Sequence, residues 1–143
     1  MCFRKITVFV VISILLLSAA SGAATYIAVE VPELRNSVLR VVDLYSQGES
    51  MLLLGQGHSV STLAEDTVVP LIDGISGRIS ALAVGDVNGD LRSELVVGTD
   101  SGGALYFYAE KGGTWERQGQ PQYLWDTIRL LEIHDFNNDG WGD

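Results

Sequence analysis

Two short stretches of the sequence carry oxygen-bearing side chains at the same spacing. In each stretch an Asp at position 1 is followed by an Asn at position 3, an Asp at position 5 and an acid at position 9. The residues are Asp86, Asn88, Asp90 and Glu94 in the first stretch (loop 2, residues 86–94), and Asp135, Asn137, Asp139 and Asp143 in the second (loop 3, residues 135–143). Hard cations such as Ca²⁺ take about six to eight oxygen ligands, and alternate residues of a tightly wound loop can point several oxygens at one centre. The spacing therefore predicts a divalent-cation site in each loop.

Two further positions of these loops fit the same chemistry. Position 7 can supply a backbone carbonyl, a role that falls to Arg92 and Trp141. Position 6 favours glycine because the chain must turn sharply there, and Gly140 meets this demand whereas Leu91 does not. An EF-hand would need a Glu at position 12 and a following helix, but position 12 of loop 2 is Val97, inside a strand-like run. This excludes an EF-hand at loop 2.

Clusters of Asp, Asn and Gly also form ordinary hairpin turns, which is the competing interpretation. Two copies at matched positions favour the ion, because clustered carboxylates repel one another unless a cation neutralises them. A similar frame starts at Asp43, but Tyr45, Gln47 and Met51 stand at its positions 3, 5 and 9. We predict no ion in this frame (loop 1, residues 43–51).

The three loops follow similar apolar segments. A leucine lies four positions before each anchor aspartate and a Val or Ile lies two positions before it, which is the period of a strand with one buried face. Twelve residues after the first two anchors stand Gly55 and Gly98, each at the end of an apolar run. The anchors are 43 and 49 residues apart, a repeat length typical of one four-stranded blade of a β-propeller.

The middle copy can be divided into strands. The predicted strands are 79–85, 94–98, 104–109 and 114–118. We therefore predict an all-β fold over residues 36–143, a partial β-propeller of about two and a half blades, with copies near 37–78, 79–126 and 127–143. No helix is expected in this part. Because closed propellers have about four to eight blades, the chain is expected to be the N-terminal fragment of a longer product.

The N-terminus has the composition of a targeting segment. Arg4 and Lys5 precede the apolar run 6–17, which a stretch of small residues follows. This order predicts a signal peptide over residues 1–24. Alternatively, the uncharged stretch 6–29 could span about 30 Å of hydrocarbon as an uncleaved helical anchor. In both cases the basic end stays in the cytoplasm, so the domain is expected outside, secreted or membrane-anchored.

The two loops and their flanking strands resemble the FG-GAP/VCBS repeats, whose pattern is D-x-[DN]-x-D-G-x-x-[DE]-L. Loop 2 matches through its four oxygen-bearing side chains and Leu95, and loop 3 through its four and Gly140. The resemblance covers residues 39–143 and departs from the pattern at Leu91. It implies a calcium-binding propeller like that of integrin α-subunits, in which the ion holds the hairpin between the first two strands of a blade. Family members serve in adhesion and in ligand or carbohydrate binding, and some are attached to lytic enzymes.

Composition excludes several function classes. The formal charge of −9 without a basic patch argues against nucleic acid and against anionic membrane surfaces. The single cysteine, Cys2, precedes the apolar run, so the remainder has no thiol nucleophile, disulfide or CxxC-type zinc site. His134 has no second histidine nearby in the sequence and is interpreted as an ordinary strand residue.

Two other groups of residues could carry chemistry. A Ser/His/Asp arrangement could be assembled from Ser59, His58 and Asp66, although nothing in the spacing requires it. Tyr106 and Tyr108 share one face of a predicted strand, where core packing is the default and sugar binding the alternative. Neither group displaces the cation loops as the main candidate.

The sequence thus predicts an exported, non-enzymatic, calcium-binding β-propeller repeat protein with structural ions, serving recognition, adhesion or carbohydrate binding. Its expected partner is an extracellular protein or carbohydrate, and not nucleic acid. The alternative is the propeller scaffold of an exported polysaccharide-active enzyme whose catalytic part lies outside these residues. A third interpretation is a surface anchor or sensor held by the N-terminal helix.

Overall fold

The computed structural model describes residues 37–45, 48–64 and 67–143. These residues form eight strands in two four-stranded antiparallel sheets, with no helix among them. The strands are β1 (Ser37–Val42), β2 (Met51–Gln56), β3 (Ser59–Ala64), β4 (Thr67–Ile72), β5 (Ile79–Gly85), β6 (Glu94–Thr99), β7 (Ala104–Lys111) and β8 (Thr114–Tyr123). The all-β prediction is confirmed for this part of the chain. The predicted segments 1–24 and 6–29 lie outside the described residues.

Each sheet is a simple meander. Sheet 1 has the order β1-β2-β3-β4, and sheet 2 has the order β5-β6-β7-β8. Sheet 1 lies within the predicted copy 37–78, and sheet 2 lies within the copy 79–126. Consecutive strands pair because short turns join them; Gly102 and Gly103, for example, both have positive φ in the tight turn between β6 and β7.

The two sheets share one hydrophobic core. β1 and β2 contact β5, and the Arg40 side chain donates from Nε to the backbone carbonyl of Leu82 across the sheets at 3.2 Å. β6 is buried along its whole length, which explains its uninterrupted apolar run. The rings of Tyr106 and Tyr108 belong to this core, so the default interpretation of that stripe is confirmed and sugar binding there is excluded.

In each sheet, one glycine makes a close contact with the following copy. A Cβ atom on Gly55 of β2 would lie only 2.8 Å from Cγ2 of Ile79, at the start of the next copy. A Cβ atom on Gly98 of β6 would lie 2.9 Å from Cγ2 of Ile128. Ile79 and Ile128 are 49 residues apart, the spacing of the second and third anchors. The absence of a side chain therefore lets each copy pack closely on the one before it.

Residues 124–143 contain no strand, which differs from the strand expected before the third anchor. In sheet 2 the equivalent strand, β5, pairs with β6, and the counterpart of β6 would begin only at position 143. Among the described residues, no strand pairs with this segment. Its side chains nevertheless pack on sheet 2, since Leu131 contacts the Gly98 position and Ile133 contacts the Gly85 position.

Candidate metal centre

Loop 2 closes the hairpin between β5 and β6. Gly85 and Glu94 are paired in the sheet, so the loop starts directly after one paired residue and ends at the other. Position 1, Asp86, therefore follows the end of β5, and position 9, Glu94, is the first residue of β6. Strand pairing thus brings the two ends of the predicted ligand set to the same edge of the sheet.

The carboxylate of Asp86 organises the turn. Its Oδ1 accepts the backbone N–H groups of Gly89 at 2.7 Å and Asn88 at 3.3 Å, and its Oδ2 accepts that of Leu91 at 2.8 Å. Desolvation raises the pKa of this carboxyl, but the donated hydrogen bonds outweigh it and leave the pKa below the ordinary value. Asp86 is therefore held ionised inside the loop.

The other three side chains converge. Nδ2 of Asn88 donates to Oε1 of Glu94 at 2.9 Å and lies 3.4 Å from Oδ2 of Asp90. Oδ1 of Asn88 accepts the backbone N–H of Asp90 at 2.8 Å, and Oδ1 of Asp90 accepts that of Arg92 at 2.9 Å. The predicted ligands therefore do not splay apart, and two carboxylate oxygens approach one point beside Asn88.

Glu94 is the buried member of the set, with only 3% of its surface exposed. Its Oε2 accepts the backbone N–H of Val87 at 3.0 Å. Burial raises the pKa of Glu94, and repulsion from Asp90 and Asp86 adds to the effect. Among the described residues no Lys or Arg forms an ion pair with a loop 2 carboxylate. The loop thus gathers negative charge that no ion pair neutralises, and Arg92 and Lys111 line the cleft beside it.

Loop 3 repeats four of the hydrogen bonds that backbone N–H groups donate to side chains in loop 2. The N–H of position 6 donates to Oδ2 of position 1 at 2.8 Å in both loops. The N–H of position 5 donates to Oδ1 of position 3 at 2.8 and 2.9 Å, and that of position 7 donates to Oδ1 of position 5 at 2.9 Å in both. The N–H of position 2 donates to the acid at position 9 at 3.0 and 3.1 Å. The two loops therefore share one conformation.

Backbone dihedrals support the same equivalence. Position 4 has positive φ in both loops, at 77° for Gly89 and 57° for Asn138. Position 6 also has positive φ, at 67° for Leu91 and 91° for Gly140. The expected preference for glycine at position 6 thus has a physical basis, and Leu91 adopts a conformation that side chains with a Cβ avoid.

Loop 1 keeps part of the frame. The N–H of Gly48, at position 6, donates to Oδ2 of Asp43 at 2.7 Å, and Gly48 has a φ of 78°. Tyr45 is exposed at position 3, and Met51 at position 9 is the first residue of β2. Gln47 lies outside the described residues. Loop 1 therefore shares the hydrogen bond from position 6 to position 1 and the positive φ at position 6, while positions 3 and 9 carry no carboxylate or amide.

The two candidate loops contact each other, which the sequence did not reveal. The Trp141 ring lies over Gly89, where a Cβ would be 2.5 Å from its Cε2. The N–H of Gly142 donates to the backbone carbonyl of Asp86 at 2.7 Å. From the sequence, the ring of Trp141 is expected either at the surface or against the next blade; it is exposed and also packs on the preceding loop.

The fit of these loops to a metal depends on donors other than carboxylates. Among residues 37–45, 48–64 and 67–143, no group of three or more His, Cys, Asp and Glu side chains is arranged to hold a metal ion. The expected shell uses an Asn and a carbonyl besides the acids, and in loop 2 the NH₂ group of Asn88 faces the carboxylates. A rotation of this amide would turn its oxygen toward them and would give up the hydrogen bond that the oxygen accepts from the Asp90 N–H. The oxygen donors of the loop are of the kind that a hard cation takes.

An open cleft of about 390 Å³ lies beside loop 2. Its lining joins loop 1, loop 2 and the β7–β8 hairpin, and includes Tyr45, Asp90, Glu94, Lys111 and Gln118. The candidate ligands are therefore reachable from solvent on this side.

The other sequence candidates have separate partners. Nδ1 of His58 lies 2.9 Å from the carbonyl of Ile75, and Oγ of Ser59 donates to Asp73 at 3.0 Å. Asp66 lies outside the described residues, so the arrangement of Ser59, His58 and Asp66 stays untested. His134 lies in a segment without a strand, so its interpretation as a strand residue is wrong. Its ring makes an edge-to-face contact with Phe136, with ring centroids 5.8 Å apart.

Sequence reasoning missed the backbone donors of position 2, Val87 and Phe136, which hold the acid at position 9 in both loops. No residue type marks this position, because the donor is the main chain. The residues between which the loops touch, Gly89 and Trp141, are 52 positions apart and no local pattern connects them.

Comparisons of the chain with protein-family models, with curated proteins and with solved structures find no match. The family resemblance therefore depends on the residues of loops 2 and 3. In the part of the chain that the structure describes, no helix is long and apolar enough to cross a membrane.

Proposed function

We propose that loops 2 and 3 each bind one calcium ion. The observation that carries the proposal is the shared loop conformation, in which the same four backbone N–H groups orient the same four side-chain positions in both loops. Ordinary hairpin turns have no reason to repeat an acid at position 9 together with the donor that orients it. The proposed ligands are Asp86, Asn88, Asp90, the Arg92 carbonyl and Glu94, and Asp135, Asn137, Asp139, the Trp141 carbonyl and Asp143.

Calcium suits this donor set better than other divalent ions. All proposed donors are oxygens, and no histidine or cysteine is among them, which disfavours zinc and copper. Magnesium demands a near-octahedral shell and keeps several waters, whereas calcium accepts an irregular shell of carboxylate, amide and carbonyl oxygens. A nine-residue loop that offers such a mixture therefore favours calcium.

The ion would have a structural role. It would neutralise three carboxylates that have no cationic partner in the described part of the chain, and would allow Glu94 to stay ionised although it is buried. It would also fix the turn between β5 and β6. Folding and calcium binding are then linked, so calcium stabilises the folded state.

We further propose that the sheets are successive blades of a β-propeller and that the protein is exported for recognition or adhesion. The repeated packing at Gly55 and Gly98 supports stacking of copies. Leu39 and Val41, the counterparts of Leu82 and Val84, are exposed on the outer face of sheet 1, where a further blade would fit. Export depends on residues 1–24 or 6–29, as the sequence predicts.

Calorimetry on the full chain in mild detergent tests the calcium proposal. We expect heat of binding with Ca²⁺, a higher melting temperature with Ca²⁺ than with a chelator, and loss of about one site in Asp86→Ala. At a free ion concentration of 100 times Kd, the stabilisation should be about 2.7 kcal/mol per site. Asp73→Ala, which removes an acid outside the loops, is the matched control and should keep both sites. A folded sample that gives neither heat nor a change in melting temperature would contradict the proposal.

A further inference from the structure

We propose that Tyr123 and Trp125 form a binding site for a sugar ring of a neutral polysaccharide. The two rings lie within 29° of parallel, with centroids 5.7 Å apart. They project at the end of β8, and 50% of Tyr123 and 84% of Trp125 is exposed. The inference deepens the proposed recognition function and rests on it, but it does not depend on the ion loops.

Backbone hydrogen bonds hold this pair in place, and Trp125 has a strained backbone conformation. The N–H groups of Leu124 and Trp125 donate to the carbonyls of Gly103 and Gly102, both at 3.0 Å. Trp125 has a φ of 62°, a left-handed conformation that a bulky residue rarely adopts. Since the ring is exposed, its burial does not compensate for this strain. A glycine would fit the backbone better, so the tryptophan is the less stable choice for folding alone.

The internal repeat shows that the pair does not belong to the packing between copies. The N–H of Ile75 donates to the carbonyl of His58 in the turn of sheet 1, as Leu124 does to Gly103 in sheet 2. Ile75 is the structural counterpart of Leu124, and it is buried in the core that contains residues of both sheets. The counterparts of Tyr123 and Trp125 are then Gly74 and Ser76, and both are exposed although sheet 2 is present. The two aromatic positions therefore face solvent even where a following sheet is packed.

The chemistry of the site favours a neutral sugar. Aromatic faces carry negative partial charge and attract the slightly positive C–H groups of a pyranose ring. The Tyr123 ring stacks on the Trp125 ring, and the more exposed Trp125 ring offers such a face to solvent. The exposed side chains of Gln122 and Asp126 flank the pair and can hydrogen-bond to hydroxyl groups. The chain's net charge of −9 repels acidic polysaccharides. A protein partner would need about 800 Å² on this side, far more than two rings offer.

Titration of the full chain with soluble oligosaccharides tests the site. We would use hexamers of β-1,4-glucose, β-1,3-glucose and N-acetylglucosamine, with oligogalacturonate as the acidic comparison, and follow tryptophan fluorescence and heat of binding. At least one neutral hexamer should bind, oligogalacturonate should not, and Trp125→Ala and Tyr123→Ala should each weaken binding at least tenfold. Tyr45→Ala is the matched control, an exposed aromatic residue in the cleft beside loop 2, and should leave binding unchanged.

A second variant separates loss of binding from loss of folding. Trp125→Gly should raise the melting temperature, because glycine accepts the left-handed backbone, while it abolishes sugar binding. The proposal is overturned if no neutral hexamer binds, if oligogalacturonate binds as well as they do, or if Tyr45→Ala removes binding and Trp125→Ala does not. Sugar binding in the presence of a chelator would stand even if the calcium proposal failed. Calcium binding without sugar binding would overturn only the inference made here.

Discussion

At the scale of single residues, position 6 of the loops is defined by its backbone conformation and not by its side chain. Gly48, Leu91 and Gly140 all have positive φ and all donate an N–H to the aspartate at position 1. Two of the three are glycine, which accepts this conformation without steric conflict. Leu91 adopts it with 85% of its surface exposed, so its side chain contributes little packing in return.

Leu91→Gly should therefore stabilise the protein by about 1 kcal/mol, since left-handed backbone at a residue with a Cβ costs about 1–2 kcal/mol and glycine loses part of this gain to chain entropy. Chemical denaturation measures the change. Leu91→Ala keeps the Cβ and serves as the control, with no comparable gain expected. A Leu91→Gly protein less stable than the original would show that the leucine has an unrecognised packing role.

The ion pair between Arg78 and Asp100 makes one contribution to stability depend on pH. The Arg78 backbone N–H and its guanidinium, 3.0 Å from Asp100, hold the pKa of Asp100 below its ordinary value. At a pH near the ordinary pKa of aspartate, the folded state therefore binds fewer protons than the unfolded state. The contribution is present above about pH 3.9 and is lost as the pH falls through the folded-state pKa.

Asp100→Asn should accordingly lower the melting temperature at pH 7, and the difference between variant and original protein should shrink as the pH falls from about 4 to about 2. Thermal melts across this range measure it. A difference that stays constant with pH would mean that the hydrogen-bond geometry, and not the charge, stabilises the turn.

Elements follow the sequence where local chemistry determines them. The period of two before Asp86 and the turn glycines after Thr99 predicted β5, β6 and the start of β7 within two residues. β8 is five residues longer than expected. Gly119, with a φ of 67°, and the proline at position 121 are residue types that usually end a strand, but here the strand continues with an irregular register against β7.

The segment before the third anchor, residues 131–134, shows where local sequence does not determine the element. Its apolar alternation matches that of β5, yet it forms no strand, because a strand depends on a neighbour that is not local to it. The conformation of loop 3 was predictable from its side chains, whereas the contact of its tryptophan with Gly89 was not, since it depends on how two copies stack.

The contact between loops 2 and 3 should couple their ions. Trp141→Ala would remove the ring from Gly89 while keeping the position 7 carbonyl, and we expect the calcium affinity of loop 2 to fall about fivefold, the lower range of typical coupling between sites. Calorimetry with loop 3 left able to bind measures this change, and the loop 2 site is identified as the one that Asp86→Ala removes. Phe136→Ala, an exposed aromatic change in the same loop, is the control. An unchanged loop 2 affinity in Trp141→Ala would show that the loops touch without coupling.

At the scale of the whole molecule, sheet 1 and sheet 2 present equivalent faces to different surroundings. Val84 packs against the core between the sheets, whereas its counterpart Val41 is 60% exposed on the outer face of sheet 1. The repeat thus provides two copies of one position, one covered and one open.

Val41→Asp should change the stability of the folded chain by less than about 0.5 kcal/mol, as for an exposed site. Val84→Asp should destabilise it by about 3 kcal/mol, because an unpaired charge would enter the core. Denaturant titration of both variants measures the contrast. Equal losses would mean that the outer face of sheet 1 is covered in solution.

The glycines at positions 55 and 98 have a consequence for how such a chain can change length during evolution. Each packs against an isoleucine of the following copy, so the repeating unit includes the start of the copy after the sheet. Duplication or deletion of whole repeats keeps each of these glycines against an isoleucine. A change that removes Ile128 but keeps Gly98 would leave the space beside that glycine unfilled and should destabilise the sheet.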